Sequence, residues 1–472
     1  MKKNLFMVAA VALMAMVSCN KEEIGNNGLQ GGVVSDIVFS AELEQPGAPA
    51  AEQTPAAAQT KTSLGTTTDD VTSVNWVAGD QIKVNGVTFS AKEAGPRTDF
   101  TTTASFTGAA TYYAVYPASA AGSSDLTKVT IPASQKGTFA EAAISVAQSN
   151  TQSLHFKNVA SILKFQVPAA CSEVTIESTS NLAGTFPVTF DDKGLPVIGT
   201  VTNGSKKITV TGSFKTGTDY YVAVLSGTKE FFEVRIDGYL SKASANVNVS
   251  RAVISGMGTL PAAKVSTYRI IGGFNSWNNA TTKFYDEGAY YVARGVNIGT
   301  SDFLLYNTDG DKYIKGPTNI SQNNWEYVYG ENNNNIKIGG STSNAKYDVY
   351  LDKLVKRFYV TPAGSSAPTT YTLSIEITNN AWTNYNVYAW ASFADNNYDG
   401  VWGSWGQCPS ITTKKSGNTK YLYMRFPSFY NGEKVSFKLS NTNGSGESSE
   451  ITNITLDANL TYKMNNTTLT KK

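Results

Sequence analysis

Charged residues make up only 16% of this 472-residue chain, against roughly 25% in an ordinary soluble protein. Lys and Arg (39) nearly balance Asp and Glu (37), so there is no basic field to draw a phosphate backbone. That argues against nucleic acid as a partner. A single histidine, His155, leaves little material for a His-based triad or a His-rich metal centre. Only three cysteines occur, Cys19, Cys171 and Cys408, too far apart to imply a disulfide framework. Long apolar runs are missing too. Leu5 to Val17 is shorter than the ~20 residues a helix needs to cross a bilayer, and no later stretch is apolar enough. What is plentiful is Gly (40), Tyr (25) and Trp (7). Six of the seven Trp and 19 of the 25 Tyr follow residue 265. An uncharged partner with flat apolar faces and many hydroxyls, such as a neutral polysaccharide, suits that distribution.

Met1-Lys2-Lys3 followed by the apolar run reads as a signal peptide over residues 1–18. Its end, Met16-Val17-Ser18-Cys19, resembles a bacterial lipobox. The resemblance implies cleavage before Cys19 and acylation of that residue, palmitate included, on its thiol and new amino group. Several acyl groups anchor firmly where one does not. The following Asn20-Lys21-Glu22-Glu23 resembles the export tag of Bacteroidetes surface lipoproteins, which implies the outer face of the outer membrane. Residues 19–34 then form a tether.

From Ile37 onward, short runs of β-branched and aromatic residues alternate with Gly, Asn, Ser and Thr clusters. Val174-Thr175-Ile176-Glu177 and Tyr371-Thr372-Leu373-Ser374-Ile375 are examples. This period-2 pattern, with no competing amphipathic helix, predicts an all-β chain of tandem β-sandwich domains. Breaks at Pro261-Ala262-Ala263-Lys264 and in the linker 362–369 divide it into 35–264, 266–361 and 370–472.

Asn75-Trp76-Val77-Ala78-Gly79-Asp80-Gln81-Ile82, Tyr112-Tyr113-Ala114-Val115-Tyr116-Pro117 and Phe156-Lys157-Asn158-Val159-Ala160 resemble, in that order, the fimbrillin-like family of Bacteroidetes. Trp76 and Tyr113 are expected in a sandwich core, with a turn at Gly79-Asp80 and His155 as a satisfied structural residue. The family builds pili by strand addition. Two further domains follow here, which favours a spacer or tip subunit over a shaft pilin.

Tyr268-Arg269-Ile270-Ile271-Gly272-Gly273-Phe274-Asn275-Ser276-Trp277 resembles the opening of glycogen- and starch-binding modules and of SusE/SusF-type lipoproteins. Where relatives carry a ligand-binding Lys, this chain reads Phe303-Leu304-Leu305, with Lys312 and Lys315 nearby. A sugar ring stacks its C–H face on an aromatic ring and hydrogen-bonds Asn, Lys and Tyr through its hydroxyls. Trp277, at a turn, reads as such a platform ahead of a core residue, while Trp325 is open between platform and core. Tyr313 and Asn335 complete the set for the middle domain.

In the last domain, Tyr388 and Trp390 are two apart on a strand and share a face, with Val387 and Ala389 on the other. With Trp405 after a Gly-flanked turn, they resemble the cradle of carbohydrate-binding module family 26. The resemblance makes Tyr388, Trp390 and Trp405 the glucan-stacking residues. Trp402 joins the candidates, although Trp402 and Trp382 equally suit a core. Asp395-Asn396-Asn397-Tyr398-Asp399-Gly400 matches the start of a calcium loop, but position twelve is Gly406 instead of Glu and no helices flank it, so a polar turn is expected. No metal or cofactor is called for.

Together these readings predict a non-enzymatic surface lipoprotein. It would capture α-glucan of the starch, glycogen or pullulan type for a SusC/SusD-like transporter and a surface amylase. The alternative is a fimbrial tip subunit or adhesin. A hydrolase is rejected, because no carboxylate pair lies in a recognisable catalytic motif.

Overall fold

The computed structural model describes residues 37–44, 63–68, 71–122, 127–327, 334–353, 357–382, 385–393, 396–399, 412–416, 419–427, 434–441, 446–455 and 458–472. Over parts of the C-terminal strands, Tyr388 and Trp390 included, it describes the backbone alone. The chain is all-β and multi-domain, as its alternation predicts. Cys19, Trp402 and Trp405 lie outside the described residues.

The N-terminal region opens as a closed seven-stranded barrel. Around it run Phe39–Leu43, Ser153–Asn158, Ser145–Ser149, Tyr112–Tyr116, Gln81–Val84, Val87–Ala91 and Arg97–Thr101, which returns to the first strand. Asn85-Gly86 joins two neighbours, both at positive φ (43° and 90°), the two-residue turn whose twist matches a hairpin. Trp76 is fully buried inside the barrel. Its Nε1 donates to the Ala41 carbonyl at 2.9 Å, and edge contacts to Phe100, Tyr116 and Phe156 surround its ring.

Two expectations change here. Trp76 fills a barrel instead of the gap between two sheets. Tyr113 is only half-buried, and Tyr112 and Tyr116 are its buried neighbours. The Gly79-Asp80 turn forms as read: the Asp80 carboxylate accepts from Val77 N at 2.9 Å. His155 lies on the surface, its Nδ1 at 2.5 Å from Glu42 Oε1.

Further sheets complete this region, among them one of five strands that ends in the long hairpin Gly227–Ile236 and Tyr239–Val249. Asp237-Gly238 makes its turn, again with both residues at positive φ (46° and 83°). Tyr239 is thereby set at the hairpin tip.

The middle region is one eight-stranded sheet. Its order is Lys312–Ile314, Phe303–Asn307, Val265–Gly272, Lys283–Asp286, Tyr290–Val296, Tyr347–Asp352, Arg357–Pro362 and Trp325–Tyr327. Its inner face carries a core of Ile270, Phe284, Phe303, Leu305, Val349, Leu351, Phe358 and Val360. The C-terminal region has a five-stranded and a four-stranded sheet around Leu373, Ile375, Phe437, Leu439 and Tyr462.

Candidate functional site

Because strand side chains alternate, residues paired directly across a sheet share a face. The pairs Tyr285–Val292, Val292–Tyr350, Tyr350–Tyr359 and Tyr359–Trp325 therefore form one row across five strands of the middle sheet. The row lies on the outer face, opposite the core. Rings touch along it: Trp325 to Tyr359 at 5.4 Å between centroids and Tyr359 to Tyr350 at 6.0 Å, with Tyr290 joining Tyr350 at 4.9 Å.

The centre of this row is not open. Val292 and Tyr350 are fully buried, and Tyr290 is nearly so. Tyr239 of the N-terminal hairpin covers it, its ring 4.0 Å from that of Tyr285. Charge secures the contact. Arg235 of the hairpin pairs with the buried Glu287, and Glu287 also accepts from Leu240 N at 3.0 Å. Burial works against the Arg235 charge, yet Glu287, Glu233 and Glu177 outweigh it and raise its pKa. Arg425 of the C-terminal region reaches Glu233 at 3.1 Å.

The row opens at its Trp325 end. There Trp325 and Tyr359, both half-buried, floor a concavity of about 580 Å³ lined also by Asn323, Asn324, Thr361 and the linker residues Ser365 to Thr369. Burial raises the pKa of the Tyr359 hydroxyl above its ordinary value. Thr361 Oγ1 donates to Asn323 Oδ1 at 2.6 Å, which turns the Asn323 amide nitrogen into the remaining donor of that side chain. None of the lining residues is charged. The site can stack a ring on indole and phenol and can exchange hydrogen bonds with hydroxyls. Among the described residues, none that lines it is a carboxylate.

Trp277 and Tyr313 belong to the other end of the sheet. Trp277 is 44% exposed, at the close of the 3₁₀ turn Gly273–Asn275, with its N–H donated to Gly272 at 2.9 Å. Tyr313 is 49% exposed on the edge strand, its ring 5.2 Å from that of Tyr306. The Tyr306 hydroxyl donates to Asp311 and also meets Asn279, so the loop carrying Trp277 reaches over the same tyrosine pair. Trp277 and Tyr313 thus share a neighbourhood, whereas Trp325 sits on the opposite edge strand. Asn335 is half-buried beside Ile336, which bridges to Phe303.

Tyr388 and Trp390 fall on the strand Asn386–Phe393, opposite Lys438 and Ser436, while Val387 and Ala389 stand opposite the buried Leu439 and Phe437. The side chains of Tyr388 and Trp390 are outside the described residues. Trp382 packs against the C-terminal core beside Tyr385. The calcium-like string departs from the expected turn: Asn396–Asp399 is a strand paired with Trp390–Phe393. Among the described residues, no group of three His, Cys, Asp or Glu could hold a metal ion. No helix among them is long and apolar enough to cross a membrane.

Tyr359, Tyr306, Asp311 and Arg294 were not singled out from sequence. Tyr359 has a local signal, alternating with the core residues Phe358 and Val360. Its neighbour Trp325 is 34 positions away, and only the pairing brings them together.

No protein-family model matches the chain, and no curated protein matches it. Among solved structures, one similar chain is a "putative cell adhesion protein" from Bacteroides ovatus ATCC 8483. It shows 16% identity over 45% of this chain and 87% of its own, with a TM-score of 0.25. A likeness of that size carries no argument about this chain.

Proposed function

We propose that this protein is a non-catalytic, lipid-anchored cell-surface protein that captures a neutral glycan, with starch-type α-glucan as the ligand and Cys19 as the anchor. The uncharged concavity floored by Trp325 and Tyr359 carries the proposal. Its rim of Asn, Thr and Ser matches sugar hydroxyls, and its two rings match a pyranose face. The exposed Trp277 and Tyr313 add stacking surface on the same domain, and two weak sites on one chain reinforce each other through effective concentration.

Retardation of the full mature chain in amylopectin, pullulan and glycogen gels tests the reading. Trp325→Ala is expected to weaken retention about tenfold, from the loss of one stacked ring worth roughly 1–1.5 kcal/mol. Unchanged retention of that variant would remove this concavity from the binding surface. Retention by host-type glycans and not by α-glucans would favour an adhesin. The anchor has its own check: labelled palmitate enters the wild-type chain in a bacterial host and fails to enter Cys19→Ser.

A further inference from the structure

The docked hairpin tip leaves a second concavity on the same outer face, and its chemistry differs from the first. This cleft of about 320 Å³ lies between Tyr239 of the N-terminal hairpin and the middle sheet, and Phe274, Lys283, Tyr285, Arg294 and Asn297 contribute to its walls. Two of its lining residues are cationic and none is acidic. Lys283 is exposed and has no carboxylate within ion-pair distance among the described residues. The neighbouring acid in sequence, Asp286, is already engaged by Lys353 and Lys264. Cross-strand from Lys283 stands Arg269, so no carboxylate faces it in the ladder either.

Arg294 is held in place. Its guanidinium lies over the Tyr239 ring (5.8 Å) and the Tyr350 ring (6.0 Å) and donates to the Tyr350 hydroxyl at 3.4 Å. It also pairs with Asp348 at 3.8 Å and Glu287 at 3.9 Å, which have further partners of their own: Asp348 accepts from Gly295 N, and Glu287 from Arg235 and Leu240 N. The cleft therefore presents a held cation, an exposed one with no ion-pair partner among the described residues, and phenol rings, a combination that suits a ring with an apolar face and a negative charge.

We propose that this interdomain cleft binds an anionic sugar unit, a carboxylate- or sulfate-bearing ring. The ring would lie against Phe274 and the edge of the Tyr239–Tyr285 pair, with its negative group between Lys283 and Arg294. The site is composite. Tyr239 comes from one domain and the rest from the other, so it exists only while the hairpin is docked. It stands independently of the neutral-glycan site, which no charged residue lines.

The test uses the full mature chain in gels containing polygalacturonate, chondroitin sulfate or amylopectin, at low and high salt. Wild-type protein should be retarded by at least one anionic polymer, and added salt should weaken that retention because exposed charge is screened. Retention by polygalacturonate shows that a carboxylate suffices, and retention by chondroitin sulfate that is lost on chemical desulfation shows that sulfate is needed. Lys283→Glu should weaken anionic retention about tenfold and leave amylopectin retention unchanged, while Lys283→Arg should restore it. Lys283 is exposed, so an unaltered melting curve will show that the variants fold. Absence of retention on both anionic polymers, or retention that Lys283→Glu does not change, would overturn the proposal.

Discussion

At the scale of single residues, the sharpest physical statement concerns Lys229, which is 4% exposed. Its ammonium donates to the carbonyls of Asn181 (3.0 Å) and Ser226 (3.2 Å) and has no carboxylate in reach among the described residues. Burial lowers its pKa from 10.5 to about 8. Between those values the unfolded chain keeps a proton that the folded chain has released, so stability rises as pH climbs through the window. The gain approaches about 3 kcal/mol when the window is fully crossed. Urea unfolding of wild type and Lys229→Met on both sides of the window checks it: the wild-type stability should rise relative to the variant. An equal pH response in both would refute the assignment. Trp325 belongs to this scale too. Sequence left it balanced between core and platform, and the structure shows a half-buried residue with one face on Tyr359 and one side toward an open concavity.

At the scale of elements, the hairpin Gly227–Val249 organises the junction. Its Asp237-Gly238 turn sends Tyr239 onto the middle sheet, and Arg235 lies two residues before Asp237. Gly238 sits at φ 83°, where a β-branched side chain is strained, and a Cβ there would come within 3.8 Å of Arg294. Gly238→Val should cost roughly 1–3 kcal/mol and raise the amide exchange rate across residues 234–242. Hydrogen exchange followed by mass spectrometry reads both the site and the extent, and unchanged protection there would mean that the turn does not govern the docking. Asp-Gly between alternating runs favours a two-residue hairpin turn. What the hairpin tip touches was not legible. Nothing local in Tyr239 specifies Tyr285 as its partner, 46 positions later.

At the scale of the whole molecule, the outer face of the middle sheet is divided into three parts: a neutral concavity, a covered centre and a cationic cleft. Docking of the N-terminal hairpin creates that division, and the buried Arg235–Glu287 pair holds it. Glu287→Ala removes the carboxylate that joins Arg235 to the middle sheet, leaving Arg235 only Glu233 and Glu177 of its own region, and should cost about 1–3 kcal/mol at the junction. Small-angle scattering should then report a larger radius of gyration, and limited proteolysis should cut near residues 261–265 faster than in wild type. A variant with unaltered scattering and proteolysis would show that apolar contact alone suffices to hold the two regions together.

Alternation of apolar and polar residues determined the all-β class, because it is a property of neighbouring residues. The even balance of charge argued against nucleic acid, and the aromatics gathered after residue 265 led to the expectation of an uncharged partner. Tertiary structure alone decided that the first strands close into a barrel around Trp76, that Tyr113 stays outside its core, and that Trp325 and Tyr359 meet across strands. It also decided which part of an aromatic face is open. A period of two marks two faces on every strand, but which face is covered depends on register and on a partner far away in the chain.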